Sequence, residues 1–144
     1  VMSVPVIGKD EDIPTFLSKG VTNAFVAIGS NILRKKISQK MQRLGYKLVN
    51  VISPDAIISE SVLLGKGIAI MPGVIVNAES KIDDGAIINT GTTIDHECSI
   101  EKFVHIAPGC NLAGRVSIGE GSFLGIGTKV IDKITVGSWT MVGG

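Results

Sequence analysis

The chain has 144 residues, enough for one domain or for one domain and a fragment of another. Hydrophobic residues make up 44% of it and aromatic residues only 4%, which suits thin layers of aliphatic side chains better than a bulky core. The formal net charge of +1 favours neither nucleic acid nor an anionic membrane as a partner. The longest run without a charged residue, 21–33, is too short to span a bilayer, and no signal-peptide pattern opens the sequence, so we expect a cytoplasmic protein.

The first part of the chain predicts a small parallel α/β unit. Strands are expected at 4–7, 24–28 and 46–52, with one helix between Asp10 and Gly20 and a second over 32–44. Alternation of strands and helices is typical of nucleotide-binding units, but the glycine-rich phosphate turn that normally opens such a unit is missing. We therefore expect the unit to be incomplete.

The predicted second helix is amphipathic. Leu33, Ile37, Met41 and Leu44 share an apolar face, which we expect to be the buried one. Its basic residues lie largely elsewhere and are expected to face solvent, namely Arg34, Lys35, Lys36, Lys40 and Arg43.

From residue 58 onward every sixth position is Ile, Leu or Val. These fifteen positions run from Ile58 to Val142 without an insertion, and turn-forming residues follow most of them. A helix repeats near 3.6 residues and a plain strand at 2, whereas a fixed period of six indicates a parallel β-helix of hexapeptide repeats. Three repeats per coil give five coils and three internal columns, which are Ile58/Val76/Ile94/Leu112/Val130, Leu64/Ile82/Ile100/Ile118/Val136 and Ile70/Ile88/Ile106/Leu124/Val142.

The sequence therefore divides into an α/β unit over 1–52 and a β-helix over 53–144. A β-sandwich is rejected because strands of varying length would break the phase. The chain stops within a repeat, and the ends of a solenoid need covering, so we expect the working protein to have further residues at both ends. Cys98 and Cys110 fall on small inward positions of different faces, which predicts buried free thiols rather than a disulfide.

Two histidines are the candidates for chemistry. His96 comes two residues after its repeat position, at a corner, and His105 comes one residue before its own and should point outward. Half a coil separates them, so they should share a cleft only if neighbouring β-helices pack side by side. Asp95 and Glu97 flank His96, and a carboxylate on one imidazole nitrogen makes the other a better base. A surface histidine beside solvated acids is the alternative.

Several motifs resemble those of the left-handed β-helix sugar O-/N-acyltransferases. The runs NTGTTIDHEC (89–98) and FVHIAPG (103–109), followed by 112–114 and 123–127, carry the resemblance. This group includes sialic-acid O-acetyltransferases and UDP-bacillosamine or perosamine N-acetyltransferases. VAIGSN (26–31) followed by RKKI is similar to the end of the family's nucleotide-sugar-binding domain, so the resemblance covers nearly the whole chain.

The resemblance implies a mainly β fold, a left-handed parallel β-helix preceded by the nucleotide-sugar-binding unit. It also implies a homotrimer with active sites at subunit boundaries, acetyl-CoA as the donor, no metal, and a sugar, nucleotide-linked in the family, as the acceptor. The acetyl group would pass to an amino or a hydroxyl group.

The site residues follow from the same resemblance. His96 would be the general base, with Glu97 as its paired acid and Asp95 as the rival. His105 would contact the acetyl end of the donor, and the Gly114 N–H is a candidate oxyanion donor. The remaining assignments are the backbone at Ile126 and Gly144 for the pantetheine arm and Gly29 for the nucleotide-sugar.

Two other functions are alternatives. A non-catalytic β-helix, acting as a scaffold or binding module, would show no dependence on His96 and no CoA binding. A trimeric β-helix carbonic anhydrase would need three histidine ligands around a metal at each subunit boundary, which two histidines per chain supply poorly.

Overall fold

The computed structural model describes residues 4–144. A 3₁₀-helix (Asp10–Asp12) leads into helix α1 (Ile13–Ser18), and helix α2 spans Asn31–Arg43. All strands have two residues, and in chain order they are β1 Asn23–Ala24, β2 Lys47–Leu48, β3 Val51–Ile52, β4 Ile57–Ile58, β5 Leu63–Leu64, β6 Ala69–Ile70, β7 Ile75–Val76, β8 Lys81–Ile82, β9 Ile87–Ile88, β10 Thr93–Ile94, β11 Ser99–Ile100, β12 His105–Ile106, β13 Asn111–Leu112, β14 Ser117–Ile118, β15 Phe123–Leu124, β16 Lys129–Val130, β17 Thr135–Val136 and β18 Met141–Val142.

The strands from β3 onward form three parallel sheets that wind around one interior. Their orders are β4-β7-β10-β13-β16, β5-β8-β11-β14-β17 and β3-β6-β9-β12-β15-β18, which we call the first, second and third faces. Each strand pairs in register with the strand 18 residues further along, for example Ile94 with Leu112. The three predicted columns are therefore confirmed, as is the β-helix built from hexapeptide repeats.

The interior of the β-helix is packed by the residues at the repeat positions. Those in the middle coils, such as Ile88, Ile94, Ile100 and Ile106, have no exposed surface. Cys98 and Cys110 are also buried, and both are free thiols, as the pattern predicted. Burial raises the pKa of each thiol. The aliphatic columns therefore form the core, while the residue before each repeat position faces outward.

The corners between faces require left-handed backbone. Glu97, at φ 57°, occupies this conformation, which costs a residue with a Cβ about 1–2 kcal/mol. The same conformation recurs at 18-residue intervals at Glu79, Arg115 and Lys133, so it belongs to this corner of successive coils rather than to one site. Another corner uses glycine at successive left-handed positions, namely Gly73, Gly91, Gly109 and Gly127, where the lack of a Cβ removes the cost.

The N-terminal unit differs from its predicted strands. Residues 4–7 form no strand, and their side chains are exposed. The strand predicted over 24–28 is only Asn23–Ala24, and it pairs in parallel with Lys47–Leu48. The strand predicted over 46–52 is two strands, because Val51–Ile52 pairs with Ala69–Ile70 and forms the first rung of the β-helix.

Both helices occur close to where the sequence predicts them. In α2 the Ser30 side chain caps the N-terminus by accepting a hydrogen bond from the Leu33 N–H. The predicted buried face was wrong at two positions: Leu33 is 45% exposed, whereas Arg34 is only 1% exposed. Arg34 points into the junction between α2 and the β-helix, where backbone carbonyls accept its hydrogen bonds. No helix in the described part of the chain combines the length and apolarity needed to cross a bilayer.

Candidate active site

His96 and Glu97 form a pair at the corner that joins the first and second faces. The imidazole Nδ1 lies 2.9 Å from Glu97 Oε2, and both side chains are about half exposed. The left-handed backbone at Glu97 follows directly on the histidine, so the pair is local to the turn. With Nδ1 held by the carboxylate, Nε2 is the nitrogen available for proton transfer.

Asp95, the rival acid, has different partners. Its Oδ1 accepts hydrogen bonds from the backbone N–H of His96 at 2.8 Å and from Asn77 Nδ2 at 3.0 Å. The side-chain hydrogen bond from Asn77, followed by that from the His96 backbone, lowers the pKa of this carboxyl. Asp95 therefore stabilises the turn, and the geometry favours Glu97 as the acid paired with the imidazole.

Gly114 lies one coil beyond His96, at the same corner. A Cβ atom at position 114 would be 2.7 Å from His96 Nε2 and 3.2 Å from Asp132 Oδ1. The absence of a side chain therefore leaves the space beside Nε2 open. The backbone carbonyl of Gly114 accepts a hydrogen bond from Lys133, and among residues 4–144 no acceptor is bonded to its N–H. That N–H is therefore available as a hydrogen-bond donor.

Charged side chains surround this corner. Arg115 Nη1 lies 3.7 Å from Glu97 Oε2, and its Nη2 lies 3.3 Å from Asp132 Oδ1. The Arg115 backbone N–H also donates to the His96 carbonyl oxygen at 2.9 Å. All of these side chains are partly exposed, so their electrostatic effects are screened by solvent.

His105 lies on the outer side of the third face, in a cavity of about 270 Å³ between the β-helix and the loop 25–29. Its ring packs edge-on against Phe123, with centroids 5.1 Å apart. Its Nε2 is 3.5 Å from Asn89 Nδ2. Burial, and then the positive charge of Arg34, lower the pKa of His105, while a hydrogen bond with the Gly29 backbone acts in the opposite direction.

Gly29 lines this cavity and also a second one. The second cavity, about 300 Å³, lies between the start of α2 and the last coils, with Phe123, Trp139 and Met141 on its wall. A Cβ atom at Gly29 would meet nothing within 4 Å, so the turn borders open space on both sides. The two cavities therefore meet at Gly29.

Ile126 and Gly144 lie at the corner that follows the third face, on successive coils. Ile126 is 71% exposed, and a Cβ atom at Gly144 would overlap the Ile126 backbone. This corner is not the one that carries His96. Within one chain the fold thus brings together His96, Glu97 and Gly114, separately Gly29 and His105, and separately Ile126 and Gly144.

Three residues near His105 were not predicted as site residues, namely Arg34, Asn89 and Phe123. All three lie in motifs that carried the resemblance, and that was the only available signal. Among the described residues, no group of three or more His, Cys, Asp or Glu side chains is placed to hold a metal ion.

No family model matches the chain, but solved structures do. PerB from Caulobacter crescentus, in complex with CoA and GDP-perosamine, is 48% identical, with a TM-score of 0.98 over 100% of this chain and 70% of that one. The acetyltransferase domain of PglB from Neisseria gonorrhoeae is 40% identical, with a TM-score of 0.96 and the same coverage. Its complex with acetyl coenzyme A matches at 38% identity, a TM-score of 0.91 and the same coverage. The family suggested by the motifs is confirmed, and the chain belongs to the left-handed β-helix sugar acetyltransferases built from hexapeptide repeats.

Proposed function

We propose that the protein transfers the acetyl group of acetyl-CoA to the amino group of a nucleotide-linked amino sugar. The observation that carries the proposal is the His96–Glu97 pair, with Nε2 facing the open space at Gly114. PerB was solved with CoA and GDP-perosamine, and the PglB domain with acetyl-CoA, which supports the two substrate classes. GDP-perosamine is therefore the first acceptor to test.

His96 acts as the general base in this mechanism. Its Nε2 takes a proton from the acceptor amine as the nitrogen attacks the thioester carbonyl carbon. The N–C bond forms and the carbonyl oxygen becomes an oxyanion, to which the Gly114 N–H donates. The C–S bond then breaks, and the CoA thiolate leaves with the proton from His96. Glu97 holds Nδ1–H throughout and stabilises the imidazolium.

Donor and acceptor binding use the other two groups of residues. His105 and the backbone at Ile126 and Gly144 contact the acetyl and pantetheine parts of the donor, and Gly29 faces the nucleotide-sugar. Since His96 and His105 belong to different sides of one β-helix, a complete site needs a neighbouring copy, and we propose a homotrimer. Exposed apolar side chains on the outer faces, Ile57 and Leu63 among them, are available for that packing. A cytoplasmic location stays a prediction, in keeping with the two free thiols.

Release of free CoA tests the proposal directly. Wild-type protein is incubated with acetyl-CoA and GDP-perosamine, and the thiol is followed with a chromogenic disulfide while mass spectrometry identifies the acetylated sugar. We expect turnover that His96→Ala lowers about 100- to 10,000-fold without changing the oligomer. Near-wild-type turnover in that variant would remove His96 from the mechanism.

Calorimetric titration of acetyl-CoA separates a failed acceptor choice from a non-catalytic protein. We expect one saturable site per subunit, weakened by His105→Ala. Binding without turnover would mean that a different acceptor must be sought. If no acetyl-CoA binds, the scaffold alternative is favoured and the proposed function is wrong.

A further inference from the structure

Arg34 is a buried cation at the junction of α2 and the β-helix. Its side chain is on the third residue after the helix start and is only 1% exposed. Each of its hydrogen bonds goes to a neutral carbonyl or amide oxygen rather than to a carboxylate. The acceptors within 3.0 Å are the backbone oxygens of Ile28, Gly29, Gly85 and Phe103 and the side-chain oxygen of Asn31.

A buried charge without a counter-ion is costly, because the ion loses its hydration. Burial lowers the pKa of Arg34 to about 10, so the guanidinium still carries its charge at neutral pH. The planar guanidinium donates its hydrogen bonds to two structural units at once, the N-terminal unit and the β-helix. The site is therefore built around an arginine. If this position only joined α2 to the β-helix, an apolar side chain could be buried there at a lower free energy.

The hydrogen bonds of Arg34 lead to both sides of His105. Nη1 donates to the Gly29 carbonyl at 3.0 Å, and Gly29 and His105 line the same cavity. Nη2 donates at 2.8 Å to the carbonyl of Phe103, two residues before the histidine. The guanidinium thus holds the Gly29 turn on one side of the His105 ring and the residues that lead into β12 on the other.

We propose that Arg34 is a positioning residue of the acetyl-transfer site, which holds the Gly29 turn against β12 and so fixes His105 between them. The inference rests on the proposed function, since it links the residue assigned to the donor with the turn assigned to the acceptor. Arg34 contacts neither substrate in this scheme. Its effect passes through Gly29 and His105.

The positive charge has a second consequence for His105. It opposes protonation of the imidazole, in the same direction as burial. The other neighbours of the ring, Asn89 and Phe123, carry no charge. His105 is therefore held neutral, with one nitrogen able to accept a hydrogen bond.

The test compares Arg34→Met and Arg34→Lys with a matched control, Lys35→Met. Lys35 is the adjacent cation on the same helix, but it pairs with Glu120 and lies over Trp139, away from His105. His105 is titrated by NMR of labelled imidazoles, and His96→Gln assigns the two histidine signals. The kcat/KM for the sugar acceptor and the acetyl-CoA dissociation constant are measured in parallel.

We expect Arg34→Met to raise the pKa of His105 and to lower kcat/KM for the acceptor about 100-fold, because a misplaced turn misaligns the reactants. Arg34→Lys keeps the charge without the fork, so the histidine should titrate as in the wild type while kcat/KM still falls. Lys35→Met should change neither. If Arg34→Met does not fold, Arg34→Lys carries the test, and wild-type kinetics in it would overturn the proposal.

His105 titrating in Arg34→Met as it does in Lys35→Met would also overturn it. The NMR titration does not depend on turnover, so it remains decisive if no acceptor is found. Absence of both turnover and acetyl-CoA binding in the wild type would instead count against the proposed function.

Discussion

Gly114 and His96 occupy the same corner on successive coils, and a Cβ atom at position 114 would lie 2.7 Å from Nε2 of the imidazole. The backbone of Gly114 is not among those with positive φ, so an alanine fits the local conformation. The half-exposed ring can move aside, and that movement would displace Nε2.

Gly114→Ala should therefore fold normally and lose activity about 100-fold, because the base is displaced from the reacting atoms. Gly137→Ala is the control, since its Cβ would meet only Thr140 Oγ1, at 3.7 Å. Steady-state kinetics and a thermal melt of both variants check the expectation. Full activity in Gly114→Ala would mean that the space beside Nε2 is not used.

The two acids beside His96 should behave differently. Glu97→Gln removes the carboxylate 2.9 Å from Nδ1 and should lower kcat roughly tenfold or more. Asp95→Asn keeps an oxygen that can accept from the His96 N–H, so we expect kcat to change little. Comparing kcat of the two variants decides between the acids, and the reverse order would assign the pairing role to Asp95.

Gly29 should control acceptor binding without affecting the fold. An alanine there meets nothing within 4 Å, and its methyl group would project into the space proposed for the nucleotide-sugar. We expect KM for the acceptor to rise about tenfold, the usual effect of a methyl-sized change in a pocket, with acetyl-CoA affinity unchanged. An equal loss for both substrates would argue that the turn serves the donor instead.

The lowered pKa of His105 predicts a pH dependence of stability. In the unfolded chain the imidazole has its ordinary pKa of 6.5, whereas in the folded protein the value is lower. Between the two values the unfolded chain binds more protons, so stability is full above 6.5 and declines as the pH falls through the folded pKa.

His105→Asn should flatten this decline. Denaturant unfolding of wild type and variant, from about pH 7.5 to about pH 5, measures the slope. His96→Asn is the matched control, because its side chain is 44% exposed and largely solvated. Identical slopes in wild type and His105→Asn would show that His105 does not titrate abnormally.

The interior columns should not tolerate charge. Ile106 has no exposed surface, and an aspartate there would be a buried carboxylate without a partner. We expect this to lower the free energy of unfolding by about 3–5 kcal/mol. Since this is a large part of a typical domain's stability, we expect Ile106→Asp to be unfolded or insoluble. Thr135→Asp, outward and exposed, should remain folded. Circular dichroism and size-exclusion chromatography distinguish the two.

The β-helix was predictable because its contacts repeat with the sequence. Ile94 pairs with Leu112 and Ile106 with Leu124, each 18 residues on, so a fixed period of six specifies the pairing, the faces and the inward side chains. The histidine corner was predictable for the same reason, since its place follows from counting two residues past a repeat position. The resemblance favoured Glu97 over Asp95 as the paired acid, and the structure adds that the Glu97 carboxylate lies 2.9 Å from Nδ1.

The N-terminal unit was less predictable, because its structure depends on contacts with distant residues. Local patterns predicted the position of α2 correctly. Its amphipathic pattern, however, predicted that Leu33 would be buried, whereas Arg34 is the buried residue. The reason is long-range: the guanidinium finds its acceptors at Gly85 and Phe103, which are 51 and 69 residues away. The sequence alone determined the β-helix, its core and its histidine corner. Only the tertiary structure decided which cation is buried and how the Gly29 turn meets His105, because carbonyl oxygens from another unit stabilise that charge.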